Sequence, residues 1–244
     1  RVAHMPGGRA KNAGLIASLD DNVGKILAAL KANGIDKNTI VIFTNDNGGQ
    51  TGTGAVNTPL KGKKGQLTEG GIRVPWAMQW PGKIEPGSII NQPVIALDIL
   101  PTVVEAAGGE VAEDWKLDGR SMLPLFKGKP LPTRTLYWRK GGAGGSVAGR
   151  EGKWKDLHRI RIEQNEILEL YDLDSDISES KNLASQYPKV VEKLAAKSAA
   201  WEAELMEPLW GNDGKKATAR NKIDSNDRLI RPAKRAKKLK PLSP

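Results

Sequence analysis

Apolar residues recur at Leu15, Ile16, Leu19, Val23, Ile26, Leu27 and Leu30. That spacing predicts a helix with one apolar face, and Asn33-Gly34 supplies a stop at its C-terminal end. After a short linker, Thr39 to Thr44 is an unbroken β-branched and aromatic run. Without alternation, such a run predicts a strand buried on both faces of a mostly parallel sheet. Val74 to Trp80 predicts the next strand, closed by Pro81-Gly82. Asp98 to Ala107 predicts a short helix, with Pro101 tolerated in its first turn and Gly108-Gly109 beyond its end. A helix, a short loop and a buried strand in that order form an α/β signature.

Beyond Gly109 the pattern shortens. Strand-like pieces at Thr135–Arg139, Val147–Trp154 and Ile167–Asp172 are separated by Gly-rich turns, which predicts a small antiparallel sheet. A final amphipathic helix is expected from Pro188 to Leu205, with Val190, Val191, Leu194, Ala195, Trp201 and Leu205 on its buried side. The chain therefore divides into an α/β part (residues 1–110), a smaller α+β subdomain (111–214) and a tail (215–244). No internal repeat is evident.

Composition narrows the class. A chain of 244 residues is long enough for a real core. With 39% hydrophobic and 27% charged residues, it is not disordered as a whole. No apolar run reaches the roughly 18–20 residues of a membrane span. The absence of cysteine excludes a disulfide framework, a thiolate metal site and a cysteine nucleophile, and it leaves the redox compartment unread. The formal charge is +10, but residues 215–244 hold 11 basic side chains against two aspartates, so +9 resides in the tail and the body is nearly neutral. The tail's composition predicts disorder. It lacks interleaved aromatics, which disfavours nucleic acid as a partner and leaves contact with another polyanion open. Arg1 to Pro6 is not a signal peptide. The expectation is a cytoplasmic protein or a chain that begins inside a longer one.

Candidate chemistry follows the first strand. Ligands of open α/β sheets bind outside the carboxyl ends of strands, and from such an end a Gly/Thr-rich loop runs from Asn45 to Gly71. Structureless loops of that length are usually functional. Asp46-Asn47 offers a carboxylate and an amide carbonyl side by side, hard oxygen donors suited to Ca²⁺ or Mg²⁺. Taken alone, Asn45-Asp46-Asn47-Gly48 favours a simple turn, and the spacing is not that of an EF-hand. Lys61-Gly62-Lys63-Lys64-Gly65 could bring ammonium and backbone N–H groups close to an anion. The same lysines alone read as a solvated basic loop, and the P-loop spacing is absent. His4 could bind an anion or donate a proton to a leaving group near neutral pH, although a lone histidine near a chain end is more often incidental.

An ordered series of short blocks then carries a resemblance. Asp20-Asp21-Asn22-Val23-Gly24, Asp46-Asn47-Gly48-Gly49, Pro59-Leu60-Lys61-Gly62, Lys64-Gly65, Glu69-Gly70-Gly71-Ile72-Arg73-Val74-Pro75 and Trp80-Pro81-Gly82 are the first of them. Asp98-Ile99-Leu100-Pro101-Thr102, Leu117-Asp118-Gly119-Arg120-Ser121, Arg150–Lys155, Glu169–Leu173, Asn182-Leu183-Ala184 and Pro208-Leu209-Trp210 continue it. Together they resemble the formylglycine-dependent sulfatases, arylsulfatase-like members of the alkaline-phosphatase superfamily, over about residues 11 to 211. The resemblance implies part of a mixed, mostly parallel sheet flanked by helices, with a smaller α+β subdomain carrying an antiparallel sheet.

By position the resemblance makes Asp46 and Asn47 ligands of Ca²⁺, which reverses the preference for a simple turn. It makes Lys64 a contact to the substrate sulfate, and His4 a sulfate-binding or proton-donating histidine. It implies Ca²⁺-dependent hydrolysis of an aryl or carbohydrate sulfate ester, and a periplasmic or secreted location. The family's nucleophile arises from Cys or Ser in Cys/Ser-x-Pro-Ser-Arg, and no such motif occurs here: Ser121-Met122-Leu123-Pro124-Leu125 departs from it. The paired aspartates that complete the calcium site, and the lysine and histidine that follow the nucleophile, are absent too. The resemblance is thus to the C-terminal portion of a sulfatase, with the electrostatic half of the chemistry and without the nucleophile. Two competing readings remain: a non-catalytic remnant that binds sulfated glycans or another polyanion, and a related hydrolase of phosphate or phosphonate esters.

Overall fold

A computed structural model describes residues 7–141, 145–160 and 166–206. Helix α1 spans Gly7–Ala32. It ends where expected: Gly34 adopts φ +67°, and the Ile35 N–H closes back onto the Leu30 carbonyl at 3.1 Å. The apolar stripe that predicts this helix is not covered by the described residues. Leu15 is 72% exposed and Leu19 50%, and the neighbours of α1 are the 3-10 turns at Asp36–Asn38 and Thr51–Thr53.

Strand β1 (Val41–Thr44) pairs with β2 (Trp76–Gln79), Val41 opposite Gln79 and Thr44 opposite Trp76. The pairing is antiparallel and both strands are half-buried, where a both-face-buried strand with parallel neighbours was expected for β1. The reason lies between them. A parallel neighbour needs a crossover, and the connection holds only the 3-10 turn Thr51–Thr53 and α2 (Glu69–Ile72), a single α-helical turn. Helix α3 (Ile99–Ala106) has Pro101 in its first turn, as the sequence predicts. The one-turn α4 (Leu123–Phe126) follows. Buried Asp98 ties this region together. Its carboxylate takes both terminal nitrogens of Arg134 and accepts the backbone N–H groups of Ile95 and Arg120.

The C-terminal part is a four-stranded meander in the order β3 (Thr135–Lys140), β4 (Ser146–Glu151), β5 (Trp154–Ile160), β6 (Glu166–Asp172), antiparallel throughout. The single strand expected over Val147–Trp154 is two strands. A two-residue turn, Gly152-Lys153 with Gly152 at φ +58°, reverses the chain between the paired residues Glu151 and Trp154. Helix α5 (Pro188–Ala203) then crosses one face. With this antiparallel sheet set beside the helical and short-stranded N-terminal part, the α/β class with a smaller α+β subdomain holds.

Strand alternation gives the meander two cores. On one face Leu170 packs with Val191 and Leu194 of α5, Tyr137 stacks on Trp201 at 4.9 Å, and Glu151 takes Lys193 and Lys197. On the other face Ala148, Leu157 and Tyr171 form a cluster with Leu67 and Trp138, and this face meets the Asn45–Gly71 loop. Among the described residues before Met122, the one buried aliphatic or aromatic side chain is that of Pro101. The hydrophobic core lies in the C-terminal part, and the loop is held against it.

Candidate functional site

The loop leaving β1 is fixed by its own backbone. Gly48 donates to the Gly71 carbonyl at 2.9 Å, Gly70 to Lys61 at 2.7 Å, and Lys64 to Gly49 at 3.2 Å. This packing requires glycine at position 48, where a Cβ would sit 1.8 Å from the Gly70 carbonyl oxygen. The side chain of Asn57 is the hub. Its amide oxygen accepts the Gly49 N–H at 3.0 Å, and its amide nitrogen donates to the carbonyls of Gly49 and Gly62 at 2.9 and 3.0 Å. Asn57 therefore sets the Asp46–Gly49 turn against the lysine segment.

A buried ionic cluster locks the loop onto the meander. The Lys155 ammonium, wholly buried, lies 2.7 Å from Glu69 Oε1 and 2.9 Å from Glu179 Oε1. The other oxygen of Glu179 accepts the Glu69 N–H at 2.8 Å. Lys61 donates to the Tyr171 hydroxyl at 3.1 Å and the Glu179 carbonyl at 3.0 Å. Burial pushes the Tyr171 phenol up, partly offset by that lysine.

Where loop and meander meet, a cavity of about 540 Å³ opens at the end of β1. Asp46 and Asn47 line it, with Arg73 and Trp76 on their side and Trp138 and Arg150 on the opposite wall. Arg150 donates through Nε to the Gly152 carbonyl at 3.2 Å. Its Nη1 stands 3.9 Å from Glu69 Oε2, and Arg73 Nη1 is 3.5 Å from the same oxygen. Burial holds the Arg150 guanidinium below its ordinary pKa, and the Glu69 charge opposes that shift. A larger cavity of about 770 Å³ lies among loops around Glu105, Val111, Lys116 and Arg120. It is more open and holds none of the residues that the sequence marks for chemistry, so the smaller cavity is the candidate site.

Of the residues marked from sequence, Asp46 and Asn47 are brought together in this cavity. Lys64 is exposed at its edge: Gly65 lines the cavity but the Lys64 side chain does not, and its ammonium has no ion pair or hydrogen bond among the described residues. His4, the Pro208–Trp210 block and the 215–244 tail lie outside the described residues. One carboxylate and one amide carbonyl are suitable donors for Ca²⁺, which takes six to eight oxygens. No group of three or more His, Cys, Asp or Glu side chains placed to hold a metal occurs among the described residues. Asp46 and Asn47 thus fit as part of a calcium site, not as a whole one.

Sequence reasoning left Arg73, Trp138 and Arg150 without roles, and it missed Glu69, Lys155 and Glu179 as the joint. Arg73, Glu69, Arg150 and Lys155 all sit inside the quoted blocks, which was the available signal. Their convergence depends on strand register.

Comparison with known proteins adds two family matches. Residues 7–109 match the family described as Sulfatase, and residues 63–204 match N-sulphoglucosamine sulphohydrolase, C-terminal. A sulfatase of Formosa agariphila is 31% identical over 219 residues, covering 79% of this chain and 39% of that protein. Human arylsulfatase D is 40% identical over 121 residues, covering 46% of this chain and 20% of that protein. Among solved structures, Ps i-CgsB in complex with k-i-k-neocarrahexaose superposes with TM-score 0.78 at 33% identity, over 85% of this chain and 46% of the other. The chain spans less than half the length of each of these relatives.

Proposed function

The chain belongs to the sulfatase family, and from that premise we propose that it supplies the electrostatic half of a sulfuric ester hydrolase site acting on a sulfated carbohydrate. The observation that carries this reading is the cavity at the end of β1, where the oxygen donors Asp46 and Asn47 share the lining with the guanidiniums of Arg73 and Arg150. Asp46 and Asn47 would contribute two of the oxygens that hold Ca²⁺, with the remaining ligands from outside the described residues. When bound, that ion polarises the sulfate oxygens as charge develops on them. Lys64, exposed and without an ionic partner at the cavity edge, has the freedom to turn its ammonium onto the sulfate. Asn57 fixes the spacing between these two elements, and Glu69–Lys155 fixes both against the meander.

A carbohydrate is favoured over an aryl group by the two indoles in the cavity, Trp76 and Trp138, which offer apolar faces to a sugar ring. The neocarrahexaose bound by the solved relative points the same way. The reaction itself needs a nucleophile that this chain does not carry, because it has no cysteine and no Ser-x-Pro-Ser-Arg. The purified chain should therefore bind a sulfated oligosaccharide without hydrolysing it. Calorimetric titration with a carrageenan oligosaccharide, with and without Ca²⁺, tests the binding. Asp46→Ala and Lys64→Ala should each weaken it, and wild-type affinity in both variants would overturn the assignment. Sustained release of 4-nitrophenol from an aryl sulfate by this chain alone would overturn the account of the missing nucleophile.

A further inference from the structure

The proposed site accounts for one sulfate, yet the wall opposite Asp46 carries more positive charge than one ester requires. Leu136, Trp138 and Lys140 alternate onto the cavity face of β3, and register sets Arg150 of β4 directly opposite Leu136. Glu69 lies beside that wall, and its Oε1 is taken by Lys155 at 2.7 Å. Its Oε2 has no hydrogen-bond partner and faces two guanidiniums, Arg73 at 3.5 Å and Arg150 at 3.9 Å. Both distances exceed hydrogen-bond reach. The terminal nitrogens of Arg150 are thus without a hydrogen bond among the described residues, on a side chain only 16% exposed. A half-buried guanidinium with open donors is shaped for a planar or tetrahedral oxyanion.

We propose that Arg150 and Arg73, beside the indole of Trp138, form a second anion subsite. It reads an additional anionic group on the same saccharide, either a second ester sulfate or a uronate carboxylate. This inference rests on the sulfated-carbohydrate reading of the cavity. Trp138 takes the face of the sugar ring, the ester sulfate lies toward Asp46, Asn47 and Lys64, and the second anion lies against the β4 wall. The preferred substrate is then a saccharide carrying two anionic groups, and singly sulfated neutral sugars are poorer ligands.

The test is calorimetric titration of the full chain at fixed ionic strength with three disaccharides of one backbone. They are a monosulfated neutral sugar, its disulfated form, and a monosulfated form containing a uronate. A charge-assisted contact of this kind should make at least one dianionic probe bind about tenfold or more tightly than the monosulfated one. The probe that gains identifies the anion as sulfate or carboxylate. Arg150→Gln should bring that ratio close to one, Arg73→Gln on the rim should reduce it, and Arg150→Lys should restore part of it. An unchanged ratio in both glutamine variants overturns the proposal, as does a wild-type chain with no preference for either dianionic probe. Asp46→Ala and Lys64→Ala separate the two readings. They should weaken all three probes while preserving the ratio. If they leave every probe unaffected while Arg150→Gln still removes the preference, the ester-sulfate assignment fails and the second subsite stands.

Discussion

Replacing Lys155 with methionine should cost this protein much of its stability, because the lysine is the cation of a buried triad. Its ammonium sits 2.7 Å from Glu69 and 2.9 Å from Glu179, and all three side chains are essentially shielded from water. Methionine keeps most of the stem volume, so the loss reports charge and not a cavity. Two carboxylates are left behind. Glu179 keeps only the Glu69 N–H at 2.8 Å, and Glu69 keeps guanidiniums at 3.5 and 3.9 Å, too far to hydrogen-bond. Removing one member of a buried ion pair costs about 3–5 kcal/mol. At about 2–4 °C per kcal/mol for a chain of this size, Tm should fall by roughly 6–20 °C.

Thermal unfolding followed by near-ultraviolet circular dichroism measures this directly, since Trp138 and Tyr171 pack beside the triad's loop. A triple variant, Glu69→Gln, Lys155→Met, Glu179→Gln, removes the stranded charges and should recover most of the loss, because a neutral buried replacement is often no worse than the ion pair. A Lys155→Met protein melting within about 2 °C of wild type would refute the reasoning. A triple variant less stable than the single one would do the same, since the lysine would then matter through packing. The site should respond as well: the Asn45–Gly71 loop is held by this triad, so Lys155→Met should weaken saccharide binding in proportion to its loosening.

Two further outcomes follow from charge. Glu151 is held down to about 2 from an ordinary 4.5 by hydrogen bonds from Lys193 and Lys197. A carboxylate depressed by folding contributes fully above its unfolded pKa and loses that contribution as pH falls through the folded value. Stability should therefore decline between about pH 4.5 and 2, and Glu151→Gln should flatten that limb in urea titrations; an unchanged acid limb would refute it. The tail carries +9 over residues 215–244. Heparin retention should accordingly be salt-sensitive and sharply reduced on deleting those residues. Retention surviving the deletion would place the polyanion contact in the body.

Much of the fold is written locally. The period of the Leu15–Leu30 stripe, the Asn33-Gly34 stop, Pro101 at a helix start and the apolar face of α5 each need only a dozen neighbouring residues to be read. Two features were missed because they are decided by pairing. The antiparallel match of β1 with β2 is set by the absence of a crossover helix across the Asn45–Gly71 loop, not by composition within either strand. The split of Val147–Trp154 turns on Gly152, whose positive φ makes a reversal out of what reads as a continuous run. Periodicity also states that a face needs burial without saying what supplies it. Leu15, Ile16, Leu19 and Ile26 are helical as expected and at least half exposed among the described residues.

The candidate site divides along the same line. Asp46 and Asn47 were legible because a carboxylate and an amide at a strand end are adjacent in sequence and chemically distinctive. Lys64 was legible as a cation near a glycine, but its side chain stops at the cavity edge. Arg150 sits 104 positions from Asp46 in the numbering, and reaches the same cavity only through the register that sets it opposite Leu136, on the face shared with Trp138 and Lys140. A slip of one residue in that pairing would turn Arg150 toward α5 and put Glu151 at the cavity, reversing the sign of the wall. The charge that selects the substrate is therefore a property of sheet register, and the salt bridges of Glu151 to Lys193 and Lys197 help hold that register in place.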